Sequence, residues 1–246
     1  MPLTPKRVLR QFRYAMYFNG VNSYIFIARN TTTDNIGLDF SAFVWISTHV
    51  TGSAVFGYAW IIDKDIPGPR TDDWFFGINY GKEYLVLGDR EYYNIDVIAD
   101  GTFHFIGFSR TRYQNVILFW DGKTTAFSDP GYDMRNTQNI YIGSVKGSDR
   151  FFQGYITQVL LYSRALSDSE IQWNYQYPDK PIRNGLVLWL QADPQYIKDV
   201  DGDGILEWID LSGYNNHGKI YGAQLVQLIK TPARALTPAR VLKPAR

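Results

Sequence analysis

A run of acidic residues late in the chain has the spacing of a calcium-binding loop. It reads DVDGDGILEWID and begins at Asp199. Three carboxylates at alternate positions can converge on one cation, the glycine after them allows a sharp turn, and a backbone carbonyl then supplies another oxygen. The pattern predicts that calcium is a cofactor, with ligands at Asp199, Asp201, Asp203, Ile205, Glu207 and Asp210.

The same run also fits a loop without an ion. Its twelfth residue, Asp210, is shorter than the glutamate that usually completes such a loop, which weakens the expectation of a bidentate ligand. The flanking residues are typical of a strand and a turn, whereas this calcium loop normally joins two helices. A glycine-rich hairpin is therefore the alternative.

Few other residues are arranged for catalysis. A glycosidase needs two carboxylates that flank the sugar bond, but Glu207 and Asp210 would lie on opposite faces of a strand. The chain has no cysteine, three histidines (His49, His104 and His217) and no G-x-S-x-G segment. We predict that the protein is not an enzyme, that His217 makes a hydrogen bond in a turn, and that His104 packs in a sheet.

Aromatic side chains offer a different chemistry, because their rings can stack on sugar rings. They make up 16% of the chain. Five lie near predicted loops, namely Trp60, Trp74, Tyr92, Tyr93 and Tyr113. A β sandwich also uses many aromatic residues in its core, so the sequence assigns no ligand-binding residue among them.

Short apolar segments bounded by turn residues predict that the chain is mostly strands. Asp121-Gly122 joins two such segments and is typical of a hairpin. Ser167 and Glu170 fit a capping box, which predicts one short helix after them. We therefore expect an all-β fold, in which two antiparallel sheets pack face to face as a sandwich.

The two ends of the chain differ in charge from its body. Residues 1–14 carry four basic and no acidic residues, and residues 229–246 carry five basic and no acidic residues. The last segment repeats as TPARAL, TPARVL and KPAR, and prolines at this spacing favour extended backbone. We predict a basic arm over 1–14, one domain over 15–226 and a basic tail over 227–246. The tail either is solvated or binds an acidic partner, which could be another copy's body or nucleic acid.

Two further patterns concern where the protein is located. No apolar run reaches the length that a membrane helix needs, so we expect no membrane span. The first twenty residues are basic but lack the continuous apolar stretch of a standard signal peptide.

Several segments resemble the laminin G-like, concanavalin A-like jelly rolls. FFQGYITQVLLYSRALS over 151–167 is similar to their closing segment, and FNGVNSY over 18–24 is similar to their early FDGVDDY segment. Residues 40–46 resemble the next strand, and residues 103–123 resemble the central hairpin region. GLVLWL over 185–190 and DLSGYNNHG over 210–218 resemble the family's opening strand and turn. The resemblance implies a jelly roll used mainly for binding and adhesion, often of glycans.

The order of these segments differs from the family's, because its opening strand and turn come last here. Residues 184–226 could complete the jelly roll within the chain as a circular permutant. They could instead complete a neighbouring subunit as donated strands, which the similar chain ends favour slightly, or begin a truncated second domain. The resemblance also implies a different cation site, but Asn19, Asn22, Thr157 and Gln158 stand where the family often has acids.

Two classes of function follow. The permuted order and the similar basic ends favour a structural or assembly protein of a virion, filament or surface layer, which would bind copies of itself. We predict this structural role, and the alternative is a glycan-binding module, which the family resemblance alone favours. The predicted location is a virion or the outside of a cell.

Deleting residues 229–246 tests the basic tail. The deletion removes five positive charges, so self-association or DNA binding should weaken, and the difference should shrink as salt is raised. Sedimentation and DNA-binding titrations at low and high salt measure this. A truncated chain that associates and binds DNA as before would mean that the tail is passive.

Overall fold

The fold consists of short strands joined mostly by turns, in a computed structural model that describes residues 12–51, 57–64, 72–229 and 237–241. The strands are β1 Tyr14–Asn19, β2 Tyr24–Ile27, β3 Phe40–Ser47, β4 Tyr58–Lys64, β5 Trp74–Asn79, β6 Lys82–Leu87, β7 Arg90–Val97, β8 Phe103–Thr111, β9 Asn115–Trp120, β10 Lys123–Ser128, β11 Ile140–Ile142, β12 Gln153–Tyr162, β13 Leu186–Gln191, β14 Ile197–Lys198, β15 Glu207–Trp208, β16 Gly218–Tyr221, β17 Gln224–Ile229 and β18 Thr237–Val241. The helices are α1 Thr31–Asp34 and α2 Asp168–Gln176, with a 3₁₀ turn at Pro194–Tyr196. None of the helices in the described parts of the chain is long and apolar enough to cross a membrane.

The strands form two antiparallel sheets, which confirms the predicted all-β sandwich. The first sheet has the order β10-β9-β8-β3-β12-β1-β17-β18, with β13 also paired to β12. The second has the order β14-β15-β16-β2-β11-β4-β5-β6-β7. The predicted hairpin joins β9 to β10, and Asp121 and Gly122 both adopt positive φ there, as a tight hairpin turn requires.

Strand β3 is buried on both faces, which explains its uninterrupted apolar sequence. Phe40, Val44 and Ile46 point into the core between the sheets. Phe43 and Trp45 belong to a second apolar cluster on the other side of the first sheet. A strand that alternates between two apolar environments loses the polar-apolar alternation of a half-exposed strand.

Helix α2 covers this second cluster. The predicted capping box is present, because the Ser167 side chain accepts from the Glu170 backbone and the Glu170 side chain accepts from the Ser167 backbone. From the helix, Tyr175 stacks on Trp45 with ring centroids 5.7 Å apart. The outer face of the first sheet is therefore largely closed by apolar packing.

The late segment 184–226 packs on its own chain. Strand β13 pairs with Gln158–Tyr162 of β12, whose other edge pairs with β3. Strand β1 pairs with Gln153–Ile156 of β12 on the same edge as β13. Of the three arrangements considered, the structure describes the one in which residues 184–226 complete the sandwich within their own chain. It does not describe the donation of strands to a neighbouring subunit, which the sequence favoured slightly.

The same segment also completes the second sheet. Strand β16 pairs with β2 over Tyr24–Ile27, and β15 and β14 extend the sheet beyond it. The first sheet continues past residue 226, since β17 runs to Ile229 and β18 pairs with it. Part of the predicted tail is therefore a sheet strand, whereas residues 1–11 and most of 230–246 lie outside the described residues.

A buried ion pair joins strand β8 to two loops at one end of the sandwich. Arg110 and Asp129 are fully buried, and the guanidinium binds both carboxylate oxygens, at 2.9 and 3.0 Å. The remaining Arg110 donors bind the carbonyl oxygens of Gly37, Leu38 and Tyr132. Because every donor has an acceptor, the desolvation cost of the buried charge is largely offset.

Cutting the chain after Pro181 tests how far the fold depends on its late segment. The cut removes β13 to β18 and leaves β12, β1 and β2 with open edges, so the remaining chain should aggregate or fail to fold. Light scattering and thermal unfolding measure this, and adding a peptide of residues 184–229 should restore folding.

A chain that ends at Ile229 is the matched control. It lacks only the residues after β17 and should stay soluble with a cooperative melt. A soluble, monomeric and cooperatively folded chain of residues 1–181 would show that the fold does not depend on the late segment.

Candidate functional site

Four aromatic side chains form a row on the outer face of the second sheet. In β2, β11 and β16 the isoleucines point into the core, so the residues that alternate with them point outward and are half-buried. We call these outward rings the aromatic row: Tyr24, Phe26, Tyr141 and Tyr221.

The rings of the aromatic row contact one another across the strands. Tyr24 and Tyr221 lie opposite each other in the β2–β16 ladder, and their rings stack with centroids 4.8 Å apart and an angle of 16°. Tyr141 packs edge-on against Phe26, with centroids 5.5 Å apart. Burial raises the pKa of Tyr24, and the neighbouring tyrosines raise it further. The row offers a partly exposed aromatic surface with hydroxyl groups.

A loop over residues 144–150 separates the aromatic row from a second group of rings. Val145 packs on Trp60, Phe75 and Tyr84, which are almost completely buried. Gly147 lies against the Tyr24 ring, since a Cβ at this position would lie 2.8 Å from the Tyr24 Cζ. The loop therefore closes one side of the row and limits the open surface to β2, β11 and β16.

The structure divides the five aromatic residues considered from the sequence. Trp60, Trp74 and Tyr92 are buried, Trp74 and Tyr92 within the core between the sheets. Tyr93 and Tyr113 are exposed. The aromatic row was missed, although the segments YIFI, IYI and KIY already alternate isoleucine with aromatic residues. Only the pairing of these strands brings their rings together.

Lys219 links the aromatic row to the acidic loop, which we define as residues 199–204. It lies opposite Phe26 in the β2–β16 ladder. Its Nζ is 2.7 Å from Asp201 Oδ2 and also bonds Asp203 Oδ2. The hydrogen bond from Lys219 holds the pKa of Asp203 below its usual range, and the bonds to Asp201 and Asp203 raise the pKa of Lys219.

The structure brings three of the predicted ligands together. One carboxylate oxygen from each of Asp199, Asp201 and Asp203 lies within 4.8 Å of the others, and all three residues are exposed. The loop is held by its own backbone, with Gly202 N and Gly204 N donating to the Asp199 carboxylate. The Ile205 amide donates to Asp203 Oδ1, and the role predicted for its carbonyl stays a prediction.

Glu207 lies opposite Lys219 in the β15–β16 ladder and so points to the same side of the sheet. It is only 6% exposed. Its Oε2 has no hydrogen-bond partner among the described residues. Burial raises the pKa of Glu207, and the negative charge of Asp201 raises it further.

Asp210 does not join the acidic loop, which corrects the sequence expectation. Its carboxylate accepts four hydrogen bonds, from Trp189 N, Ser212 N, Ser212 Oγ and Asn216 N. These bonds tie the turn after β15 to β13, so both oxygens are already used. His217 accepts from Asp210 N through Nδ1, which confirms its predicted role in the turn.

The family model for the concanavalin A-like lectin/glucanases superfamily, which carries the laminin G name, matches residues 18–172. The chain belongs to this superfamily. The match ends before β13, and the strands after it are those that the resemblance places first in the family. No curated protein sequence matches the chain.

Solved structures are similar to this chain at low sequence identity. A structure described as a putative carbohydrate binding protein from Bacteroides ovatus is 15% identical, with a TM-score of 0.66 over 93% of this chain. This chain spans 61% of that protein's length. Domains LG4-5 of the mouse laminin alpha1 chain have a TM-score of 0.48 at 12% identity, covering 63% of this chain and 43% of that one. A pentraxin from Limulus polyphemus has a TM-score of 0.49 at 10% identity, covering 66% and 82%.

The positions where relatives in this superfamily often carry cation-binding acids do not fit an ion here. The Asn19 side chain accepts from the backbone of Val21 and Asn22 and forms a turn. Thr157 and Gln158 are buried in β12, and the Gln158 amide donates to Pro178 O. These residues supply no carboxylate, so a hard cation lacks its preferred ligands.

A second polar cluster surrounds His104 on β8. Its Nδ1 is 2.6 Å from Asp121 Oδ2, and its Nε2 is 3.0 Å from Asp100 Oδ1 and 3.0 Å from Thr102 Oγ1. The Thr102 hydroxyl itself donates to Asp100. Burial lowers the pKa of His104, but the bonds and charges of Asp121 and Asp100 outweigh it, so that the pKa is raised overall. The cluster fastens β8 to the turn that precedes it and to the turn between β9 and β10.

This cluster predicts a pH dependence of stability. Since the folded-state pKa of His104 is raised, its stabilising effect is complete below the unfolded value of about 6.5 and is lost as pH rises through the folded value. The loss should be about 1 kcal/mol. Urea unfolding from pH 5.5 to 9 measures it, and His104→Gln should flatten the profile.

His49→Gln is the control, because His49 is exposed and is not among the hydrogen-bond partners of His104, although its ring lies against Gly101. The profile of this variant should follow the wild type. An unchanged profile in His104→Gln would show that other groups cause the dependence.

Proposed function

We propose that the protein is a glycan-binding module and that the aromatic row is its sugar-binding surface. The observation that carries the proposal is the stacked, half-exposed pair of Tyr24 and Tyr221, 4.8 Å apart and nearly parallel, beside Tyr141. The description of the Bacteroides ovatus structure as a carbohydrate binding protein supports the same class of ligand.

The chemistry of the surface suits a sugar. Sugar rings carry one face of C–H groups, which packs on an aromatic ring, and a rim of hydroxyls that need hydrogen-bond partners. The partly exposed rings of the aromatic row supply the apolar contact. Lys219, Asp201 and Asp203 supply charged donors and acceptors at the edge of the row. A neutral or weakly charged oligosaccharide fits this mixture better than a purely apolar ligand.

We infer that the surface binds and does not hydrolyse. A glycosidase needs one carboxylic acid that can reach the glycosidic oxygen and still hold its proton. Asp201 and Asp203 are exposed but bind Lys219, and the pKa of Asp203 is lowered. Glu207 has a raised pKa but is only 6% exposed. Neither Asp203 nor Glu207 combines both properties.

The proposed role places the protein outside the cell or on a surface. The other role, a building block of a virion, filament or surface layer, was predicted from the altered order of segments and from the basic chain ends. Those ends lie mostly outside the described residues, so that role stays a prediction. Binding of glycans by a surface component would combine the two.

A glycan array followed by calorimetry with the best oligosaccharide tests the proposal. Tyr221→Ala removes half of the stacked pair and should weaken binding about tenfold, which corresponds to about 1.4 kcal/mol. Tyr221→Phe keeps the stacking ring and should lose much less.

Tyr155→Ala is the matched control. Tyr155 forms a similar pair with Tyr17 on the first sheet, with centroids 5.2 Å apart, but lies outside the aromatic row. It should bind glycan like the wild type. If the array retains no glycan, or if Tyr155→Ala weakens binding as much as Tyr221→Ala does, the proposed surface is wrong.

A further inference from the structure

The acidic loop alone does not make a metal site, because exposed carboxylates are common on protein surfaces. Asp199, Asp201 and Asp203 are close enough for one ion, with oxygens within 4.8 Å of one another. Asp201 and Asp203 already have a positive partner in Lys219. Something else must distinguish a site from a charged loop.

The distinguishing observation is Glu207. Its side chain is more than nine-tenths buried, and its Oε2 has no hydrogen-bond partner among the described residues. An unpaired buried carboxylate is costly, and the cost is removed if the oxygen binds a cation. Glu207 faces the same side as Lys219, whose ammonium group reaches the acidic loop.

We propose that Asp199, Asp201, Asp203 and Glu207 form a calcium site, and that the Lys219 ammonium group occupies it when no calcium is bound. This proposal does not depend on glycan binding. Glu207 takes the place of Asp210, whose carboxylate is used by the turn.

The ligand set selects the kind of ion. All four side chains offer carboxylate oxygens, which hard cations prefer. Four carboxylates from an exposed loop and a strand give a flexible, highly charged set, which suits calcium better than magnesium, since magnesium demands near-ideal octahedral geometry. No cysteine is present to favour a softer metal.

Lys219 gives the site a built-in competitor. An ion that binds Asp201 and Asp203 must displace the ammonium group from both, because two positive charges cannot share the same oxygens without repulsion. Calcium binding therefore releases Lys219 toward the aromatic row, where it lies opposite Phe26.

The first experiment titrates the full chain with calcium chloride after chelator treatment. Calorimetry should show one binding event, and a tenfold excess of calcium over Kd should raise the Tm by about 3–6 °C. Magnesium chloride should bind more weakly. No heat and no Tm shift at about 10 mM calcium, in both the wild type and Lys219→Met, would overturn the proposal.

Two variants should change the calcium affinity in opposite directions, and a loop with only a structural role would show neither change. Lys219→Met removes the competitor, so calcium should bind at least about fivefold more tightly. Glu207→Gln removes the unpaired buried charge, so the Tm without calcium should rise, while calcium affinity should fall about tenfold.

Glu91→Gln is the control, because Glu91 is an exposed acid on β7, outside the site. Its affinity for calcium should equal that of the wild type. If Lys219→Met binds calcium no better than the wild type, or if Glu207→Gln binds it as tightly, the assignment of that residue is wrong.

Discussion

The structure depends on the two edges of β12. One edge pairs with β3, and the other pairs with β1 and β13, which lie end to end although they come from opposite ends of the chain. A central strand needs hydrogen-bond partners on both edges, because its backbone groups are shielded from water. The late segment supplies the missing partner and continues through β16 into the second sheet. A single chain therefore becomes a complete sandwich despite the altered order of its strands.

The two outer faces of the sandwich differ in how far other elements cover them. Helix α2 and its neighbouring loop cover the first sheet with apolar side chains, so Phe43 and Trp45 are buried as fully as core residues. The loop 144–150 covers only part of the second sheet. The strands β2, β11 and β16 keep aromatic rings that are half open to water. A binding surface is possible where covering elements stop, and this explains why the aromatic row lies there.

Buried charges in this protein have two kinds of environment. Arg110 and Asp129 satisfy each other and the surrounding carbonyl oxygens. Glu83, a fully buried carboxyl, accepts from Asn94 and from Gly107 N of the opposite sheet, and burial raises its pKa well above the ordinary value. Both groups join elements that are distant in sequence. Glu207 lacks such partners, and that difference sets it apart from the structural charges.

The sequence by itself determined the elements whose cause is local. The Ser167–Glu170 capping box, the Asp121-Gly122 hairpin and the runs of strand residues depend on neighbours within a few positions. The strand and turn pattern predicted the two-sheet sandwich, and the family resemblance predicted its jelly-roll type. The spacing of the acidic run predicted that Asp199, Asp201 and Asp203 lie close together, as they do. It also predicted Asp210 as a ligand, but only the folded turn shows that the Asp210 carboxylate already accepts hydrogen bonds there. The aromatic row, the Lys219 contacts and the burial of Glu207 required tertiary structure. Their residues are separated by up to about 200 positions, and only the pairing of β16 with β2 and β15 sets which side chains share a face.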